Sequence, residues 1–299
     1  MIRFGPAGWT YKEWKGTVYP AHRPPGFQEL SYLSSFFDTV EINTSFYRPI
    51  APWMAASWVE KAEKNLRFRF TAKLWRGFTH DRSATDADRQ RVRDGFAPLL
   101  EAGRLGAVLL QFPWSFRNTE ENRAYLMRLY SQFQDYPLAV EFRHAGWNTP
   151  SVLSLLEQLG IGLCNIDQPV FDDSIAPSAQ ATSLLGYVRL HGRNYDNWWT
   201  AGQYAGARYD YLYSLEELKP WLDRIRVVDR VTKDVYVIAN NTYGGKGIVN
   251  LLQLAALLSG RPAEAPPSLL EHYPELRDFT VPTPTGASPP PLIYPSKTH

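Results

Sequence analysis

Short apolar, β-branched runs alternate along the chain with longer segments whose apolar positions recur every three or four residues, a pattern of parallel strands joined by crossover helices. Eight runs read as strands: 2–5, 39–43, 67–73, 106–111, 138–142, 162–166, 186–191 and 235–240. Local chemistry marks helices between them. Pro52 opens one, Thr149 followed by Pro150 caps another, Gly160 can stop it, and SLEE at Ser214 to Glu217 is a capping box. Eight strands in about 260 residues match an α/β chain folded as a TIM-type (β/α)8 barrel. An open doubly wound sheet would use fewer strands and a glycine-rich first turn. The repeat is irregular around the sixth unit, where residues 167–183 (DQPVFDDSIAPSAQATS) have no amphipathic period and predict a loop in place of a helix. Residues 194–213 (NYDNWWTAGQYAGARYDYLY) have the aromatic, glycine-dotted composition of a functional loop. Beyond residue 260 prolines crowd in without a core-building pattern. The expected division is a barrel domain over 1–260 and a proline-rich C-terminal tail over 261–299, with Leu269, Leu270 and Tyr273 available to pack on the barrel.

Composition narrows the function classes. At 44% hydrophobic and 14% aromatic, the 299 residues can build a sizeable core. Lysine and arginine total 32 against 30 acidic residues, so net charge offers no general attraction to nucleic acid or an anionic membrane. The single cysteine, Cys164, lies in the apolar stretch GIGLCNI, which excludes an intrachain disulfide and a cysteine-based zinc site. The start MIRFGPAGW has no charged-then-apolar leader, and LLQLAALL is too short to span a bilayer. A cytoplasmic protein with no membrane partner is expected. Nothing in the pattern points to an oligomeric state.

Barrel sites form at the carboxyl ends of the strands, and here those ends are polar. They carry Glu41 and Asn43, Lys73, Gln111, Glu141 with Arg143 and His144, Asp167, Arg189 with His191, and Asn240 with Asn241. Alternate strand residues share a face, so Glu41 with Asn43, Glu141 with Arg143, and Arg189 with His191 can all point into the mouth. One reading makes them internal salt bridges sealing the top layer. The other makes them a ligand site, because so many polar ends cost desolvation that apolar layers would avoid. Glu41 and Glu141, three strands apart, could then oppose one another as acid and base or as nucleophile and acid, with Asp167 able to replace either. Lys73, Arg143 and Arg189 suit a phosphate or carboxylate. His80, His144 and His191 could relay protons. No paired-histidine helix spacing occurs and no cofactor is predicted, while a divalent metal bound by these histidines with the acids stays open. The stretch NNTYGGKG, 240–247, reads as an amide cradle for phosphate or simply as a tight turn. Aromatic residues Trp9, Trp14, Tyr19, Phe46, Tyr47, Trp75, Trp114, Trp147, Trp198 and Trp199 fall in loops after strands, as stacking surfaces or core caps.

Several motifs together carry a family likeness: GPAGWTYKEWKGTVYP, VEINTSFYR, FTAKLWRGFTH, LLQFP, VEFRHAGW, YVRLHGRN, YDYLYSLEEL and NNTYGGKGIVNLLQL. With them, residues 2 to about 259 resemble the YecE-like family, domain-of-unknown-function family 72, which implies a TIM-type barrel. The resemblance implies a mouth built by Gly8, Trp9, Glu41, Asn43, Phe46, Tyr47, Lys73, Gln111, Glu141, Arg143, His144, Trp147, Arg189, His191, Asn240 and Asn241. It supplies no accepted reaction. Ala239 and Thr242 stand where the family commonly has phenylalanine and histidine.

The leading expectation is an enzyme, a hydrolase for a small anionic ligand such as a phosphorylated or acidic sugar-like compound. Glu41 and Glu141 would exchange protons, His144 or His191 would relay them, the three cations would orient the anion, and Trp9 with Trp147 would form walls. Two alternatives stay open: a phosphodiesterase-like barrel stacking an extruded nucleotide, disfavoured by net charge, and a non-catalytic metabolite-binding module.

Overall fold

All eight strands form, at bounds within two residues of those read from the pattern: β1 (Ile2–Pro6), β2 (Thr39–Ile42), β3 (Arg69–Lys73), β4 (Leu105–Gln111), β5 (Leu138–Glu141), β6 (Gly162–Asp167), β7 (Leu185–Leu190) and β8 (Asp234–Ala239). The computed structural model describes residues 1–199 and 206–282. Its strands are all parallel, in the order β1-β8-β7-β6-β5-β4-β3-β2. A bridge between Ala7 and Glu41 joins the two edges, with the Gly8 N–H donating to the Glu41 carbonyl at 2.8 Å. The barrel therefore closes, and it does so through a glycine. A Cβ on Gly5 would lie 1.7 Å from the Thr39 carbonyl oxygen, so only a hydrogen there lets β1 and β2 approach.

The helices follow their caps. Thr85 and Asp88 form a capping box for Asp86–Glu101, and Ser214 and Glu217 form one for Leu215–Val231. Thr149 accepts from the Val152 N–H at the start of Pro150–Leu159, which Gly160 ends in the left-handed conformation at φ 68°. Between β6 and β7 there is no helix, as the sequence predicts. Side chains stand in for it: the Asn165 amide donates to the Gln180 carbonyl at 2.9 Å and accepts from its N–H at 2.8 Å, while Thr182 accepts from the Leu163 N–H at 2.8 Å. These bonds satisfy backbone groups that a helix would otherwise have paired.

The packed body continues past residue 260, where the pattern predicts a tail to begin. Helix Pro267–His272 buries Leu269 and Leu270, and strands Ala263–Ala265 and Thr280–Pro282 pair alongside, with Ala263, Ala265 and Leu276 also in the core. The expected packing of Leu269, Leu270 and Tyr273 on the barrel is met, while the elements around them, three to six residues long, are too short to display a period. The rest of the expected tail, 283–299, and residues 200–205 of the seventh loop lie outside the described residues. Among the described residues no helix is long and apolar enough to cross a membrane.

Candidate functional site

Strand alternation assembles a polar plug at the carboxyl end of the barrel. Arg189 on β7, with a fully buried side chain, is its centre. One guanidinium nitrogen, Nη1, donates to Glu141 Oε2 at 2.6 Å and Gln111 Oε1 at 3.3 Å; the other, Nη2, donates to Glu41 Oε1 at 2.8 Å and Asn240 Oδ1 at 3.3 Å. Three strands and the residue that follows β8 thus converge on one planar cation, whose fork suits two carboxylates held apart. Glu41 also accepts from the Tyr187 hydroxyl at 2.9 Å, and Lys73 Nζ lies 3.7 Å from Glu41 Oε1. Arg143 Nη2 lies 2.7 Å from Glu141 Oε1, and Arg143 Nη1 donates to Gln168 at 2.9 Å.

Protonation states follow from this packing. Burial alone would raise the Glu141 pKa, but Arg189, Arg143 and His191 overcome it and hold the carboxyl well below its ordinary range. Glu141 is therefore a carboxylate and not a proton donor. Burial, then the charge of Arg143, lowers His191 to about 3, so its ring is neutral near pH 7. Arginine only donates, so the Asn240 oxygen that faces Arg189 leaves its amide nitrogen to donate to His191 Nδ1 at 3.0 Å. The ring proton then sits on Nε2, 3.3 Å from Glu141 Oε1. Burial followed by the charge of Arg189 lowers Lys73 to about 8.

Above the plug opens a cleft of about 200 Å³, lined by His80, Gln111, Pro113, Trp114, Arg143, Gln168, Ser174, Trp198, Trp199, Arg208 and Tyr209. Its floor is polar and its sides are largely indole. Burial and the charges of Arg76 and Arg143 lower His80 to about 4, so this wall is uncharged near neutral pH. Phe46 connects wall and plug: its ring lies 4.9 Å from the His80 ring and 5.5 Å from Lys73 Nζ. Arg143 and Arg208 both approach the Trp198 ring, at 5.7 and 5.5 Å.

The structure brings Glu41, Lys73, Gln111, Glu141, Arg143, Arg189, His191 and Asn240 together, with Phe46 against Lys73. Gly8 and Asn43 adjoin this group: Gly8 has φ 85°, and a Cβ there would meet Tyr11 Oη at 2.8 Å and Asn43 Nδ2 at 3.4 Å.

Other expected site residues belong elsewhere. Asp167 faces the helix layer, accepting from Arg193 Nη2 at 2.7 Å, the Tyr213 hydroxyl at 2.9 Å and Trp221 Nε1 at 2.6 Å, so it cannot replace either glutamate. Asn241 likewise turns outward, donating to the Tyr211 carbonyl at 2.9 Å and Asn250 Oδ1 at 3.0 Å. His144 accepts from the Gly146 N–H at 3.0 Å and shapes the loop after β5. Trp147 is no wall of the mouth but a core residue, stacked on Phe142 at 4.2 Å between centroids. Trp9 packs edge-on against Trp58 at 5.3 Å, and Tyr47 is exposed, its carbonyl accepting from Trp75 Nε1 at 3.1 Å. In the NNTYGGKG stretch, Gly244 and Gly245 take left-handed φ of 62° and 82°, a Cβ on Gly245 would meet Val18, and Lys246 pairs with Asp210. The turn reading accounts for these glycines without a phosphate.

Sequence reasoning missed Gln168, Ser174, Arg208 and Tyr209 in the cleft and Tyr187 and Thr71 beneath Glu41. Tyr187 was within reach of the alternation that pairs Arg189 with His191; the others lie in irregular loops or below the strand ends. Among the described residues no group of three or more His, Cys, Asp or Glu could hold a metal ion.

The family model described as "Protein of unknown function DUF72" matches residues 3–273. The "UPF0759 protein YunF" of Bacillus subtilis (strain 168) is 31% identical over 273 residues, covering 86% of this chain and 95% of the relative. Among solved structures, a DUF72 family protein of Thermotoga maritima MSB8 is 33% identical with TM-score 0.76, covering 86% of this chain and 99% of that one. A DUF72 family protein of Enterococcus faecalis V583 is 26% identical with TM-score 0.75, covering 86% and 95%. Sequence match and barrel agree over the same span: the chain belongs to the DUF72 family.

Proposed function

We propose that the barrel mouth binds a small, anionic, polar molecule. The observation that carries this reading is the charge balance around the cleft: Lys73, Arg143, Arg189 and Arg208 are set against the two buried carboxylates Glu41 and Glu141. Arg143 supports it further, since it lines the cleft while Glu141 and Gln168 hold its guanidinium in place. A cation fixed before the ligand arrives loses little entropy on binding. The indoles of Trp114, Trp198 and Trp199 suit the apolar face of a ring or short chain.

Hydrolysis by a pair of carboxylates is not the chemistry this geometry favours. Glu41 and Glu141 have no exposed side-chain surface and share Arg189, so neither reaches a ligand in the cleft without breaking an ion pair. Their role here is to anchor the cations. Calorimetric titration with inorganic phosphate, sulfate and short carboxylates tests the reading. Binding is expected, with Arg143→Gln weakening it by about tenfold or more, the value of a charge-assisted hydrogen bond. Absence of binding by every anion, or binding indifferent to Arg143→Gln, overturns it. Oligonucleotide binding that weakens steeply with salt would instead favour the nucleotide-stacking alternative.

A further inference from the structure

Of the cations in the mouth, both plug arginines are tied to carboxylates by short contacts, whereas Lys73 is not. Its ammonium makes no hydrogen bond among the described residues, and its ion pair with Glu41 is loose, at 3.7 Å. The side chain keeps 11% of its surface exposed while that of Glu41 keeps none, so solvent reaches the lysine but not its partner. Phe46 packs against both Lys73 and His80, so one ring lies between the amine and a residue that lines the cleft. A fixed anion site and a loosely held amine near it are the parts of an amine-catalysis site.

We propose that Lys73 is a catalytic nucleophile that forms an imine with a carbonyl compound carrying an anionic group, a keto acid or a phosphorylated aldehyde or ketone. The proposal rests on the anion-binding reading, with Arg143 holding the anionic end. The neutral amine adds to the carbonyl carbon, and the C=O π bond breaks to give a carbinolamine. The amine's two protons leave with the carbonyl oxygen as water, and a C=N bond remains. No redox partner is needed. The lowered Lys73 pKa, about 8, supplies a fraction of neutral amine near pH 7 that a surface lysine lacks. The resulting imine would withdraw electrons from the adjacent carbon, which suits carbon–carbon cleavage, decarboxylation or dehydration beside the former carbonyl.

The test uses the unaltered protein. It is incubated with pyruvate or glyoxylate, reduced with cyanoborohydride and mapped by peptide mass spectrometry, with phosphate binding measured in parallel. Lys73 is expected to be modified at least about tenfold faster than exposed Lys64 at pH 7.5, at a rate that rises with pH and levels off above about 8. Inorganic phosphate should slow it. Modification of Lys73 no faster than Lys64, with phosphate still bound, overturns the imine proposal alone. Selective modification of Lys73 without phosphate binding supports the nucleophile and removes the anion-site reading.

Discussion

Arg189 shows how a charge survives inside a barrel. The two terminal nitrogens of its guanidinium answer two carboxylates and two side-chain amides, which offsets the desolvation of the charges. Replacing it, as in Arg189→Met, strands Glu41 and Glu141 in the interior. Urea unfolding should report a loss of about 3–5 kcal/mol, the usual cost of breaking a buried pair from one side. His191 gives a pH signature. Its folded pKa, about 3, lies below the ordinary value of 6.5, so between those limits the unfolded chain binds the extra proton. Stability is then complete above pH 6.5 and falls as the pH drops, by about 2 kcal/mol from this residue between pH 6.5 and 5. His80, lowered to about 4, adds in the same direction, and Glu141 joins below about 4.5. His191→Gln should flatten the slope of unfolding free energy against pH by about one proton in that window. At this scale most of the plug was legible, because period-two alternation selects Glu41, Glu141, Arg143, Arg189 and His191. The bare list of polar strand ends, which adds Asp167, Asn241 and His144, overreached. One position past an inward residue turns the side chain to the other face, and the pattern does not show on which residue the inward set ends.

Between β1 and β2, the element scale, closure depends on what is missing from Gly5. The Thr39 carbonyl is backbone, so it cannot swing aside as a flexible side chain would. Gly5→Ala should therefore cost at least about 3 kcal/mol, the upper part of the range for overpacking, and a urea midpoint well below that of the parent protein would show it. A change of less than about 1 kcal/mol would mean the edges can part without loss. The strands themselves were readable because each is a short, largely apolar run, and seven of the eight carry a polar end. The loop after β6 was readable too, through its lack of period. What could not be read was how it is held: Asn165 and Thr182 are ordinary polar residues in the sequence, and only the fold brings Gln180, Ile161 and Leu163 to them. Arg208 and Tyr209 reach the cleft for the same kind of reason, from a loop whose path no periodicity encodes.

Taken whole, the molecule extends its core into a region that composition alone assigns to a tail. Leu269, Leu270 and Leu276 are buried with Ile248, Leu251 and Leu252 of the helix Lys246–Ser259, and the Tyr273 hydroxyl donates to the Gly244 carbonyl at 2.8 Å. That last bond ties the segment to the turn entering the helix that packs on β1 and β8. Proline enrichment masks this, although Pro267 and Pro274 sit at element starts, where a missing N–H does no harm. A chain ending at residue 262 would lose the burial of three leucines, worth roughly 1.5–3 kcal/mol each, and expose the apolar face they cover. Its Tm should fall by about 10 °C or more, since each kcal/mol shifts a chain of this size by about 2–4 °C. A chain ending at 282 keeps every one of those contacts and should melt well above the shorter chain. If both truncations melted alike, the segment from Ala263 to Pro282 would contribute nothing to the body it packs against, and the boundary at residue 260 would be the physical one.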